Sequence, residues 1–151
     1  MRVVSKDDIE NYIGIQSEPS DWFVVTQDQI DQFAECTLDH QFIHTDPDRA
    51  KGTVFGSTIA HGFLSLSMLS HFADSFSFRL ESSNFALNYG FDSVRFLNPV
   101  KVNSRIRAYA TLLDCTEKSA GRYILRQNVV VEIEGERRHA LSAVWIVMHI
   151  M

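Results

Sequence analysis

Cysteine and proline are scarce in this chain, with two and three among 151 residues. Cys36 and Cys115 sit far apart, in segments that read as different elements. A disulfide scaffold is therefore excluded, and a reducing cytoplasm is the expected setting. No apolar run approaches the roughly 18 residues a membrane span needs. The opening Met1-Arg2-Val3-Val4-Ser5-Lys6 has no apolar signal core, so no secretory leader is expected. Low-complexity segments and internal repeats are lacking too. What remains is an ordinary globular composition, 45% hydrophobic and 22% charged. One domain, residues 1–151, with enough material to bury a core, is the expected organisation.

Net positive charge is also lacking. The formal charge is −5, which disfavours nucleic acid as a partner. It is unevenly spread: residues 1–89 hold 5 Lys/Arg against 13 Asp/Glu, a net −8, and residues 90–151 hold 9 against 6, a net +3. Arg95, Lys101, Arg105 and Arg107 could hold a phosphate-bearing ligand. Solvated strand edges are the plainer account of the same residues.

Residues 5–15 are compatible with a short helix capped by Ser5, broken by Pro19. Asp21 to Thr26 reads as an edge strand or extended lead-in. Thr26, with Gln29 three residues on, resembles a capping box for a helix from Gln27 to about Leu38. Leu38 is a poor residue for the left-handed conformation a glycine would offer at that helix end. Asp46-Pro47 suits the start of a small helix. From Gly62 to about Phe78 nearly every position is apolar or a small serine, the pattern of a helix buried all round. The remainder is β-prone: Phe85 to Phe96, Val102 to Leu113, Arg122 to Ile133 and Ala140 to Ile150, joined by short turn-rich connections. Such connections imply antiparallel neighbours. The expected fold is α+β, one antiparallel sheet wrapped around a central apolar helix in the hot-dog manner.

Between the first helix and the apolar one lies Asp39-His40-Gln41-Phe42-Ile43-His44-Thr45-Asp46-Pro47, two imidazoles and two carboxylates within eight residues. Asp39 and His44 are five apart, and they share a water or substrate only if the chain between them turns. On these residues alone two readings stand. One is an acid/base pair; the other is a satisfied structural histidine beside a solvated helix-end carboxylate. His40, His44 and Asp46 invite a metal, but only His61 could add to them, and no metal or cofactor is expected. His61 itself reads as a packing and hydrogen-bonding residue at a loop-to-helix junction. Neither cysteine has the surroundings of a nucleophile.

Three ordered motifs decide between these readings. Asp39 followed by His44, Ala60-His61-Gly62 opening the apolar helix, and Tyr89-Gly90-Phe91-Asp92-Ser93-Val94-Arg95-Phe96 with Pro99-Val100 together resemble the MaoC-like dehydratases, or hydratase-2 family. The segment His40 to Pro47 is similar to the nodulation-protein-N-like branch, and the likeness runs from about residue 21 onward. The resemblance implies (R)-specific hydration of trans-2-enoyl thioesters of coenzyme A, or the reverse dehydration, by a hot-dog homodimer or dimer-based oligomer. It makes Asp39 and His44 catalytic, and the Gly62 backbone N–H the donor to the thioester oxygen. Gln41, His61 and Ser70 are supporting residues, Ser70 standing where the family often has a serine. Gln41 and Phe42 replace the family's usual asparagine and proline, and Leu38 replaces a common glycine. A hot-dog acyl-CoA thioesterase and a non-catalytic acyl-CoA-binding subunit are the alternatives.

Overall fold

The computed structural model describes all 151 residues, Met1–Met151. In chain order it contains strand β1 (Arg2–Val4), a 3-10 turn (Ile9–Tyr12), β2 (Phe23–Val24), helices α1 (Gln27–Thr37), α2 (Phe42–Thr45), α3 (Pro47–Lys51), α4 (Gly62–Ser67) and α5 (Leu69–Phe76), then β3 (Phe78–Leu80), β4 (Phe85–Phe96), β5 (Arg105–Ser119), β6 (Arg122–Ile133) and β7 (Leu141–Ile150). β2, β5, β6, β7 and β4 form one sheet in that order, antiparallel at every pairing. β1 and β3 make a small parallel pair beside it.

The packing follows from alternation along the strands. Leu125, Gln127, Val129, Val131 and Ile133 of β6 are buried, as are Leu141, Ala143, Trp145, Val147 and His149 of β7. From Val129 to Ile133 and from Leu141 to Val147 these rows face inward onto Leu64, Leu69, Phe72, Ala73 and Phe76 of α4 and α5, which share their core cluster, while Leu125 joins a smaller cluster with Val4, Ile9, Leu80 and Leu112. The expected α+β hot-dog architecture is the observed one.

Three local expectations need correction. The apolar helix is two pieces, α4 and α5, meeting at Met68, whose N–H reaches back to the carbonyls of Leu64 and Leu66. Nor is it buried all round. The sheet covers one side, and Phe63 stays 66% exposed on the other, with Ser67, Ser70 and His71 also exposed. Residues 5–15 give only the short 3-10 turn. Ser5 Oγ does meet Asp8, accepting its N–H at 3.1 Å and donating to its carboxylate at 2.7 Å. Beyond Tyr12 the chain is drawn into bridges with β5, Ile13 to Leu112 and Gln16 to Thr111, which competes with further helix.

The third correction concerns Leu38. Thr26 caps α1 as expected, accepting the Gln29 N–H at 3.3 Å, although the Gln29 side chain turns to Met68 Sδ instead of closing the box. At the other end Leu38 does take the left-handed conformation, φ 60° and ψ 23°, while its side chain is 79% exposed. A β-carbon there costs roughly 1–2 kcal/mol. That reversal is what turns Asp39 away from the axis of α1. The edges of the sheet differ as well. Next to β2, the backbone of Ser17 and Ser20 bonds to β5 and covers that edge. The twelve-residue β4 pairs only with β7.

Leu38→Gly should relieve the left-handed strain, partly offset by the greater freedom of glycine in the unfolded chain, for a net gain of about 0.5–1 kcal/mol. Leu38→Ala keeps a β-carbon and should gain nothing. Urea denaturation at equilibrium measures both; an unchanged midpoint for the glycine variant would mean the backbone strain is relieved by other means.

Candidate active site

Asp39 leaves the left-handed turn at Leu38, and the chain then re-enters helix at α2, with Gln41 as its N-cap. His44 is the third residue of α2. This double turn brings together side chains that neither a straight helix nor a strand would align. One ligand-type atom from each of Asp39, His44 and His61 lies within 4.8 Å of the others. Two groups at that spacing can each reach one water at ordinary hydrogen-bond length.

His44 is 7% exposed, and its ring is oriented by one bond. Nδ1 lies 2.7 Å from the carbonyl oxygen of Ile59. A carbonyl only accepts, so the proton sits on Nδ1 and Nε2 carries a free lone pair. Ile59 returns a second bond, its N–H donating to the Ile43 carbonyl at 3.0 Å. Burial pushes the His44 pKa down, the bond to Ile59 and the Asp39 carboxylate oppose this, and His61 adds to it. The buried ring is thereby favoured as a neutral base.

His61 stacks on His44, ring centres 3.8 Å apart at 25°, and packs against Phe33. Its Nε2–H donates to the Asp39 main-chain carbonyl at 2.9 Å, so it is the packing and hydrogen-bonding residue its position suggests. Its Nδ1 is buried without a partner. The in-plane lone pairs of two nearly parallel rings do not converge on one point, so this cluster is not a preformed metal cage. The Asp39 side chain is 56% exposed and accepts the Gln41 backbone N–H at a long 3.4 Å. Gln41 thus meets Asp39 through its backbone.

Gly62 opens α4, where an amide has no intrahelical acceptor. His61 precedes it as N-cap without a side-chain capping bond. A β-carbon on Gly62 would stand 3.1–3.2 Å from the Phe96 ring, so the bare backbone is what permits this approach. His44 and Gly62 line one cavity of about 380 Å³ with Ile59, Ser65, Phe96 and Pro99. Ser70 does not join them. It accepts a long 3.4 Å bond from Asn88 Nδ2 and lines separate cavities further along the helices.

Residues that carried no sequence signal hold the site from behind. Gln27, a half-buried residue in the first turn of α1, donates from Nε2 to the His44 carbonyl at 2.7 Å. Its Oε1 accepts from the buried Thr58 hydroxyl at 2.5 Å. Of the four cations considered for a phosphate, Arg105 and Arg107 are paired with Glu134 and Glu132 and lie over Trp22. Neither Arg95 nor Lys101 has an acidic partner, and Lys101 follows Val100, a residue of the His44 cavity.

A model of the MaoC like domain matches residues 8–133. The chain is 45% identical over 147 residues to Nodulation protein N of Rhizobium leguminosarum bv. viciae, covering 97% of this chain and 91% of that protein. It is 39% identical over 131 residues to 3-hydroxyacyl-thioester dehydratase Z of Mycobacterium tuberculosis, covering 87% and 86% respectively. Among solved structures, the monoamine oxidase regulatory protein of Archaeoglobus fulgidus superposes with a TM-score of 0.81 at 27% identity, covering 99% of this chain and 96% of that one. An R-hydratase of Pseudomonas aeruginosa superposes at 0.72 and 21% identity, covering 91% and 81%, a likeness of fold.

The lowered pKa of His44 has a definite sign for stability. As pH falls through 6.5, the ordinary value of histidine, the unfolded chain takes up a proton before the folded one does. The contribution is therefore complete above that value and declines below it. His149, also lowered by burial and by Arg79, acts in the same direction. The His44 ring should titrate below 6.5 by NMR, and the urea midpoint should fall as the solution is acidified, less steeply in His44→Gln. A midpoint of titration above the ordinary value would contradict the geometry described.

Proposed function

This chain belongs to the MaoC like domain family, its matches to a dehydratase support a hydro-lyase, and from that premise we propose that it is an (R)-specific enoyl-CoA hydratase, adding water to trans-2-enoyl thioesters or removing it from (R)-3-hydroxyacyl thioesters. The observation that carries the proposal is the His44 ring, its Nε2 left free by the Ile59 bond, with one ring nitrogen within 4.8 Å of an Asp39 carboxylate oxygen and with His44 and Gly62 lining one cavity. In the forward direction His44 Nε2 takes a proton from the water that Asp39 holds, as the water oxygen bonds to C3. The C2=C3 electron pair moves toward the thioester, whose oxygen gathers negative charge against the Gly62 N–H. The proton then passes to C2, leaving a hydroxyl on C3. Of the supporting residues, His61 holds the Asp39 backbone and the face of the His44 ring; Gln41 steadies the carboxylate through its own N–H.

A hot-dog thioesterase would need a carboxylate near the start of the helix pair. The first one there is Asp74, exposed on α5, twelve residues beyond Gly62 and so roughly 18 Å along the axis. The accessory-subunit reading would fit a chain that lacks the Asp39/His44 pair, and both are present. Incubation with crotonyl-CoA should lower the enoyl absorbance without releasing thiol. Asp39→Asn and His44→Ala should each reduce kcat/KM by about 10²-fold or more with folding intact. Full turnover in either variant would end the proposed mechanism, and thiol release would favour the esterase.

We also propose a cytoplasmic homodimer, paired through β4. Phe85, Leu87, Tyr89 and Phe91 are each 38–54% exposed along this free edge, and a long apolar edge strand is a template for pairing. Sedimentation equilibrium should give twice the chain mass, and Leu87→Lys with Phe91→Lys should shift it toward the single chain. A parent protein that is monomeric at high concentration would refute this assembly.

A further inference from the structure

His44 rides on α2, a single turn of helix running four residues from Phe42 to Thr45. So short a helix is not stable alone, because few hydrogen bonds form for the residues that must be ordered. Its place is set by what holds it from outside, and its carbonyls show what that is. The Phe42 carbonyl accepts the Asp46 N–H at 3.0 Å, within the turn. Carbonyls nearer a helix end have no partner inside the helix, and here they reach across the fold. The Ile43 carbonyl accepts the Ile59 N–H at 3.0 Å, and the His44 carbonyl accepts from Gln27 Nε2 at 2.7 Å.

Both of these outside bonds lead to one fixed piece of chain. Thr58, Ile59 and Ala60 are buried and lie against residues 100–102. The Ala60 N–H donates to the Val100 carbonyl at 2.7 Å, the Val102 N–H donates to the Thr58 carbonyl at 3.0 Å, and Ile59 bridges Lys101 between them. Ile59 holds α2 directly. Thr58 holds it through Gln27, its hydroxyl donating to Oε1 at 2.5 Å. Gln27 Nε2 also donates to Asp31 Oδ1 at 2.8 Å on the exposed side of α1, so both amide hydrogens and the amide oxygen are committed. The bonds close a ring: His44 Nδ1–H to the Ile59 carbonyl, Ile59 to Thr58 through their peptide, the Thr58 hydroxyl to Gln27, and Gln27 back to the His44 carbonyl.

We propose that Gln27 is a positioning residue of the active site: with Thr58 it clamps the His44 backbone to the same segment that orients the His44 ring, and so sets where Nε2 meets the reacting water. This rests on the reading of His44 as the base of an acyl-thioester hydratase. Backbone and ring of His44 are held from two consecutive residues, so the imidazole cannot tilt toward or away from Asp39 without breaking a bond. Gln27 itself is a step removed from the chemistry, touching His44 through the main-chain carbonyl. Without the clamp the C-terminal end of α2 is free to shift. That displaces Nε2 in the transition state while leaving Gly62, on a different element, in place to bind the thioester.

The test compares Gln27→Ala and Thr58→Val, which open the ring, with Thr58→Ser, which keeps the hydroxyl. In the first two, kcat for crotonyl-CoA should fall roughly 10- to 100-fold, the scale of a misplaced catalytic group. KM should stay within about twofold of the parent, and Thr58→Ser should keep the parent kcat. The double variant Gln27→Ala/Thr58→Val should be no slower than the slower single one, because both substitutions break one unit. Nitrogen NMR of the histidine rings at alkaline pH, without ligand, is independent of turnover. His44 Nε2 should be unprotonated in the parent, and Gln27→Ala should show a mixture of tautomers. If Gln27→Ala fails to fold, Thr58→Val against Thr58→Ser tests the same clamp. Lowered stability with the parent kcat, a raised KM with kcat unchanged, additive losses in the double variant, or a His44 spectrum indifferent to Gln27 would overturn the proposal. A parent that does not hydrate crotonyl-CoA, with the tautomer change intact, would instead count against the enzymatic reading alone.

Discussion

The hydrogen bond from His44 Nδ1 to the Ile59 carbonyl sets the imidazole where the two halves on which the site depends are joined. One half is the turn after α1, carrying Asp39 and His44; the other is the loop that leads into α4 and ends at Gly62. Without this bond the imidazole could carry its proton on either nitrogen, and the tautomer protonated on Nε2 would leave its one basic lone pair on Nδ1, against the Ile59 carbonyl. With it, the ring is fixed in both tautomer and direction. The reciprocal bond from Ile59 N–H to Ile43, the Gln27 amide on the His44 carbonyl and the His61 ring stacked on the imidazole all reinforce the same placement. The site is rigid from behind and open in front, where the Asp39 carboxylate remains half exposed to solvent.

The rest of the fold can be understood as support for that junction. Sheet and helix pair bury one another's apolar rows, and the sheet has two unlike edges. One is covered by the chain before α1. The other, β4, ends in Phe96, whose ring lies against Gly62 closely enough to crowd a β-carbon. The free edge of the molecule and the amide proposed to hold the thioester oxygen therefore share a residue.

Much of this was legible in the sequence, for reasons that differ by element. The strands β4 to β7 are long and bounded by turn residues, so their existence and the antiparallel β5–β6–β7 meander follow from local pattern; the short β4-to-β5 connection implied neighbours as well, whereas β4 crosses over to pair with β7, and β5 starts at Arg105 and runs on to Ser119. Asp39, His44 and Gly62 were legible because three motifs occur in order, and no single spacing would have sufficed. Leu38 was misread because propensity disfavours a branched residue in the left-handed region, while the turn to α2 requires that conformation whatever residue stands there. The break at Met68 and the exposure of Phe63 depend on how far the sheet reaches around the helices, which no local pattern encodes. Gln27 and Thr58 act through partners seventeen and thirty-one residues apart in the chain, so their roles exist only in three dimensions. Gln127 and His149 did leave a trace, as polar breaks in apolar rows, but that trace has meaning only once the inward face is known.

The unequal sequence separations within the sheet carry a consequence for how the molecule forms. β5, β6 and β7 are joined by short connections and pair as successive neighbours, so the entropy lost in bringing them together is small. β4 must instead find β7 across the whole of that meander, Phe85 lying opposite Ile150. Contacts of such range form slowly. The meander is thus the natural early nucleus. The closing of β4, which brings Phe96 over Gly62, is a late event, and the cavity that His44 and Gly62 line is walled only when this long-range pairing is made.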